Sequence, residues 1–255
     1  MKKLLTIAAT ILLLASCKEE MNFDYHTVTP IDVVEAYLTQ DGLNIAVTRT
    51  NNMDDTIQTR VDDAIVILTD ESGNAIDQLS APVSGQEYTL KVVMGGKTYV
   101  SSSFMNPATT IESATFLWER IVGRDHLYCK VLINDIPGED NYYTMRMYRN
   151  DALYKWSVFN DKDYKDGVIE RSVICMTRET YEDNEPEKQD IILHDGDKIR
   201  FEVQTIDRKA YDYLYSLSLS KRQSYNPLTN FNNCCLGFFI AGGTDTLETV
   251  YHYTE

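Results

Sequence analysis

From Val28 onward the chain alternates apolar and polar residues in short runs, each broken by Gly, Asn, Asp or Pro. Val33–Thr50 reads as two strands around Asp41-Gly42, a dipeptide that suits a two-residue hairpin turn. Residues 64–76 alternate and then turn at Ser72-Gly73-Asn74. Tyr88–Phe104 is the clearest element. Tyr88, Leu90, Val92 and Met94 fall on one face, Gly95-Gly96 makes the turn, and a second strand returns through Tyr99. Strands of period two with turns every ~8–12 residues predict a sandwich. Asn106-Pro107 punctuates the chain and predicts a domain boundary.

Beyond it, Leu127–Asp135 predicts a strand ended by Ile136-Pro137-Gly138. Asn141–Phe159 predicts a hairpin turned at Asn150-Asp151, with Tyr143, Met145 and Met147 on one face and Thr144 and Arg146 on the other. Asp183–Asp190 is a charged loop, and residues 195–206 are a turn and a strand. Ala210, Leu214 and Leu217 recur at helical spacing behind Asp207, a good N-cap, so one helix is expected over about 207–222. The Asn- and Gly-punctuated stretch 226–243 leads into a last strand or two. The expected fold is mainly β: two β-sandwich-like (immunoglobulin- or transthyretin-like) domains, 28–106 and 107–255, with the helix in the second.

The first 27 residues follow different rules. Met1-Lys2-Lys3 is positive, and Leu4 to Leu14 is apolar but too short to cross a ~30 Å hydrocarbon core as a helix. Residues 1–16 therefore read as a signal peptide. Leu14-Ala15-Ser16-Cys17 resembles the bacterial lipobox, which implies cleavage before Cys17 and lipid attachment there. Residues 17–27 would then be a lipidated tether, held in the outer-membrane lipid by several acyl chains. Lys18-Glu19-Glu20 resembles the surface-export signal of Bacteroidota lipoproteins and implies a cell-exterior location; a plain solvated tether facing the periplasm is the alternative.

Composition narrows the partners. The formal charge is −15, and becomes more negative once the two leader lysines are removed. That argues against nucleic acid, whose phosphates select basic surfaces, and against adsorption to anionic lipid. After Cys17 the cysteines are Cys129, Cys175, Cys234 and Cys235. Four allow three disulfide connectivities, and the sequence does not choose between bridges and buried thiols.

Candidate chemistry is sparse. Gly95–Thr98 has the letters of a phosphate loop, but Lys91 stands where the first glycine belongs and a strand follows instead of a helix. Asn160–Gly167 has the spacing of a calcium loop at Asp161 and Asp163, but Lys165 occupies a ligand position and Ser172 the twelfth. His26, His126, His194 and His252 are scattered, and there is no H-E-x-x-H and no G-x-S-x-G. We expect no enzyme activity, no cofactor and no metal. Tyr142, Tyr148, Tyr154 and Trp156 lie along one hairpin and form the candidate partner or ligand surface.

The order of several segments carries a further signal: the "ASCKEE" start, "VVEAYL", "GQEYTLKVVMGGKTY", "NYYTMRMYRN", "IDRKAYDYLYSL", and an Asn-Pro followed by "LGFFIAGG". Together they resemble the Bacteroidota lipoprotein family catalogued as domain of unknown function 4249, over nearly the whole mature chain. Asn232-Asn233-Cys234-Cys235 departs from it, standing where more Gly and Ser would be expected. The resemblance implies an outer-membrane lipoprotein, often encoded beside a TonB-dependent receptor, and carries over no activity and no catalytic residues. The expected role is a non-catalytic accessory or ligand-binding partner of a TonB-dependent β-barrel transporter. The alternative is a fimbrillin-like structural or adhesion subunit.

Overall fold

The hairpins that alternation and turn chemistry predict are all present. The computed structural model describes residues 29–51, 59–162, 164, 167–177, 191–220 and 227–253. Strands β1 (Asp32–Thr39) and β2 (Gly42–Arg49) pair antiparallel, and β3 (Thr59–Arg60) adds to β2. Strands β4 (Ile65–Thr69), β5 (Ala75–Ile76), β6 (Glu87–Met94) and β7 (Lys97–Phe104) form a second sheet in the order β5-β4-β6-β7. Gly95 and Gly96 both have positive φ, as the tight β6–β7 turn requires. The two sheets face each other around Val34, Leu38, Leu68, Tyr88, Leu90 and Val92.

The second sandwich pairs a three-stranded sheet with a four-stranded one. The first holds β8 (Ile111–Ile121), β9 (Arg124–Asn134) and β12 (Val168–Cys175), in the order β12-β9-β8. The other holds β10 (Tyr142–Arg149), β11 (Ala152–Asn160), β13 (Lys198–Ile206) and β15 (Thr244–Val250), in the order β11-β10-β13-β15. Tyr143, Met145 and Met147 face its core, as their alternation predicts. The long β8–β9 hairpin is absent from the sequence reading. Its turn is Val122-Gly123, and a β-branched residue at positive φ is a poor turn signal.

The linear two-domain reading places all of 107–255 in the second domain. Instead, β14 (Leu236–Ala241) runs back and pairs parallel with β1, Val34 opposite Gly237 and Ala36 opposite Phe239. Phe231, Cys235, Phe239 and Ala241 are thereby built into the first core. Glycine makes this return possible. A Cβ on Gly237 (φ +97°) would sit 2.0 Å from the Val34 carbonyl oxygen. One on Gly242 would sit 1.7 Å from the Thr205 oxygen, where the chain passes back into β15.

Helix α1 (Arg208–Ser220) lies over both sandwiches. Asp207 caps it as predicted: its Oδ1 accepts the Ala210 N–H at 2.8 Å. Its other oxygen accepts Ser103 Oγ–H at 2.6 Å and the Phe104 N–H at 3.0 Å, tying the helix start to β7. Ala210, Tyr213 and Leu214 pack with Tyr142, Ile206, Phe238 and Ile240, a third core that joins the outer faces of β14, β10 and β13. The fully buried Gln204 bridges the same junction, donating to the Leu38 and Gly242 carbonyls and accepting from Arg146.

Candidate functional site: the mouth of the second sandwich

One side of the second sandwich is closed where β15 meets β8, with the Ile111 N–H donating to Asp245 at 2.8 Å. The other side ends in two edge strands. Among the described residues β11 pairs only with β10, and β12 only with β9. Between them lies a cavity of about 280 Å³. Met145 and Met147 are among its lining residues, with Lys155, Trp156 and Ser157 from β11 and residues 171–174 from β12.

A β-bulge sets which side chains enter. Tyr148 is opposite Leu153 but Met147 is opposite Lys155, so Tyr154 is the extra residue. Tyr154 packs on the inner core, and Lys155 and Ser157 fall opposite the core-facing Met147 and Met145. Trp156 pairs with Arg146 and packs under the helix. The turn that starts β11 is rigidly held. Asn150 and Asp151 both have positive φ, and Asp197 accepts Arg149 Nε–H at 2.6 Å, Asn150 Nδ2–H at 2.7 Å and the His194 N–H at 2.7 Å. Burial pushes the Asp197 carboxyl up, but these donors outweigh it and hold it below the ordinary carboxylate value.

Two cations face into the mouth. Lys155 Nζ donates to the Ile174 carbonyl across the gap and lies 5.4 Å from the Tyr154 ring centre. Burial pushes its pKa down. Arg171 alternates with Ile169, Val173 and Cys175 on the inward face of β12, and its guanidinium lies 4.5 Å over the Phe159 ring. Arg171 Nε and Ser157 Oγ are buried with no hydrogen-bond partner among the described residues. Neither cation has a carboxylate partner there either, on a chain whose formal charge is −15. Both side chains are half-buried, and a partly desolvated cation gains from a nearby anion, so the arrangement suits an anionic group. The described lining residues include no carboxylate, imidazole or thiol.

The tyrosine-rich surface expected from the sequence is divided. Tyr142 is buried beneath α1, accepts from Arg208 at 3.2 Å and packs on Tyr211. Tyr148 lies under the Arg200 guanidinium, 4.0 Å from its ring centre. The Tyr154 hydroxyl accepts the Met176 N–H at 2.9 Å inside the mouth, and Trp156 packs against the helix-side core. The bulge and the helix cover are what separate them. Missed in the sequence were Lys155 and Arg171. Arg171 interrupts an otherwise apolar inward stripe of β12, which is the signal that would have found it, whereas Lys155 faces inward only because of the bulge.

Cys17, Lys18, Glu19, Glu20, His26, Asp163 and Lys165 lie outside the described residues. Asp161 is buried and accepts the Asn141 N–H at 2.8 Å. No group of three or more potential metal-ligating side chains occurs among the described residues. Gly95–Thr98 is the β6–β7 turn and the start of β7. Cys129, Cys175, Cys234 and Cys235 are all free thiols, and only Cys234 is exposed. No helix among the described residues is long and apolar enough to cross a membrane.

Fold and site together define a mainly β protein of two sandwiches, with one helix among the described residues and an open, cationic mouth. The chain belongs to the family described as domain of unknown function (DUF4249), whose model matches residues 18–248. Searches of curated proteins and of solved structures found no match.

Proposed function

We propose that this protein is a lipid-anchored, non-catalytic binding protein of the outer membrane. It would be held by acyl chains on Cys17 and exported to the cell exterior by Lys18-Glu19-Glu20. It would work as an accessory or ligand-binding partner of a TonB-dependent β-barrel transporter. The observation that carries the binding reading is the mouth between β11 and β12. It offers two cations with no carboxylate partner and a buried Ser157 hydroxyl with no hydrogen-bond partner among the described residues, in a described lining without carboxylate, imidazole or thiol. The leader and its Leu-Ala-Ser-Cys end support the anchor.

The test is purification of the tagged protein from its own outer membranes in mild detergent, with mass spectrometry and a size measurement. The reading expects a β-barrel transporter at near-stoichiometric yield, and Cys17→Ser should release the protein from membranes. A ladder of self-multimers would instead favour a fimbrial subunit.

A further inference from the structure

We propose that the free edge of β11 takes up an extended acidic segment of a partner protein by strand addition, with Lys155 and Arg171 receiving a carboxylate side chain of that segment. The inference rests on the binding function proposed above and names the chemistry of the bound partner.

Three observations carry it. First, β11 is nine residues long and, among the described strands, is paired on one side only. An added strand gains main-chain hydrogen bonds along such an edge. Second, two cavities follow one another along this strand. The first, of about 250 Å³, is lined by Asn150, Ala152, Leu153, Tyr154 and Ile191 among others. The second, of about 280 Å³, continues from Lys155 to Ser157. Each is smaller than the ~300–1,000 Å³ usual for small-molecule sites. Successive pockets along an edge suit alternate side chains of a strand, which are spaced ~6–7 Å apart. The exposed Leu153 in the first favours an apolar side chain. Third, the second pocket holds the cations. Among the described residues the only acceptor of Lys155 is a neutral carbonyl, and Arg171 Nε has none. A carboxylate is a stronger acceptor for both.

An inward charge on an edge strand also deters pairing with other strands. Here that effect works as selection. An apolar strand would bury Lys155 and Arg171 further, whereas an acidic one neutralises them. To open the gap, Lys155 must release the Ile174 carbonyl and the Tyr154 hydroxyl must release Met176.

The experiment is a calorimetric titration of the purified full protein with an eight-residue capped peptide of alternating Val and Thr around one Glu. Three comparison probes are the same peptide with Gln for Glu, the same peptide with Pro at alternate positions, and glutarate alone. The Glu peptide is expected to saturate the protein below about 1 mM, a weak-complex range. The Gln peptide should bind at least about tenfold more weakly, the scale of one charged hydrogen bond. The Pro peptide should not bind, because it lacks edge-pairing N–H groups. Lys155→Gln and Arg171→Gln should each erase most of the Glu-over-Gln preference, and Arg171→Lys should keep part of it.

Equal binding of the Glu and Gln peptides, undiminished binding of the Pro peptide, or no binding of the Glu peptide would each overturn the inference. Glutarate binding as tightly as the Glu peptide would also overturn it, by making the mouth a small-anion site. The peptide-side changes need no protein variant, so misfolding cannot mimic a result. Co-purification of a transporter together with indifference to peptide charge would sink this inference alone. Peptide selectivity without a transporter would sink only the transporter role.

Discussion

Phe239→Ala tests whether the end of the chain completes the first sandwich. Phe239 is fully buried, sits opposite Ala36 in the parallel β1–β14 ladder, and belongs to the first core with Tyr88 and Leu90. A buried phenylalanine hides ~150–250 Å². At ~25 cal/mol per Å² the ring is worth about 4–6 kcal/mol as an upper bound. The alanine retains one methyl group and the core closes part of the void, so the expected cost is about 3–5 kcal/mol. That is a large share of the ~5–15 kcal/mol typical of a folded protein. It should lower Tm by roughly 6–20 °C in a chain of this size. The assay is denaturant unfolding combined with amide hydrogen exchange resolved by peptide. The diagnostic readout is location: protection should fall in β1, β6 and β7, which lie more than 130 residues earlier in sequence. Loss confined to β8–β13, with β1–β7 unchanged, would refute the placement of β14.

Three further outcomes follow from individual groups. Asp207→Ala should cost about 1–2 kcal/mol for the lost helix cap, and exchange should quicken at Ala210 and also at Phe104, because one carboxylate serves both; a change at Ala210 alone would contradict that link. Asp197 has a lowered folded pKa, so its contribution is fully present above the unfolded value of ~3.9 and is lost as pH falls through the folded value. The stability gap between wild type and Asp197→Asn should therefore be constant from pH 7 to about 5 and shrink below about 4; a gap that widens in acid would reverse the sign. With Cys17 blocked, a thiol reagent should label Cys234 quickly in the native protein. Cys129, Cys175 and Cys235 should react only on unfolding, since all three are buried and burial pushes the Cys175 and Cys235 thiols up to about 12; a second fast thiol would show that the cores open.

The parts of the fold legible in the sequence are those fixed by neighbours. The turns at Gly95-Gly96 and Asn150-Asp151 announce their hairpins, and Asp207 with Ala210 and Leu214 announces the helix. The β1–β14 pairing joins residues about two hundred apart, and no local pattern records it. Its trace is indirect: Gly237, Gly242 and Gly243 stand where any side chain would strike a backbone atom. The site was half legible. The hairpin 142–160 is marked by its aromatic residues, but the bulge at Tyr154 shifts the alternation of β11 by one residue. Lys155 thereby enters the mouth, and the tyrosines disperse into a helix contact, a cation stack and a strand tie. The cationic character of the mouth depends on β11 meeting β12 across the sandwich, which is tertiary information.

The central proposal is that the β11–β12 mouth is the surface through which this protein would meet a partner. The most direct test places a photo-crosslinking residue at Leu153 beside the mouth, and separately at Val122, the exposed tip of the β8–β9 hairpin, in living cells. The proposal predicts a crosslinked product of this protein with a β-barrel transporter from position 153, reduced when Lys155 and Arg171 are replaced by Gln, and little from position 122. A transporter product from position 122 alone, or a self-crosslinked ladder from position 153, would contradict it.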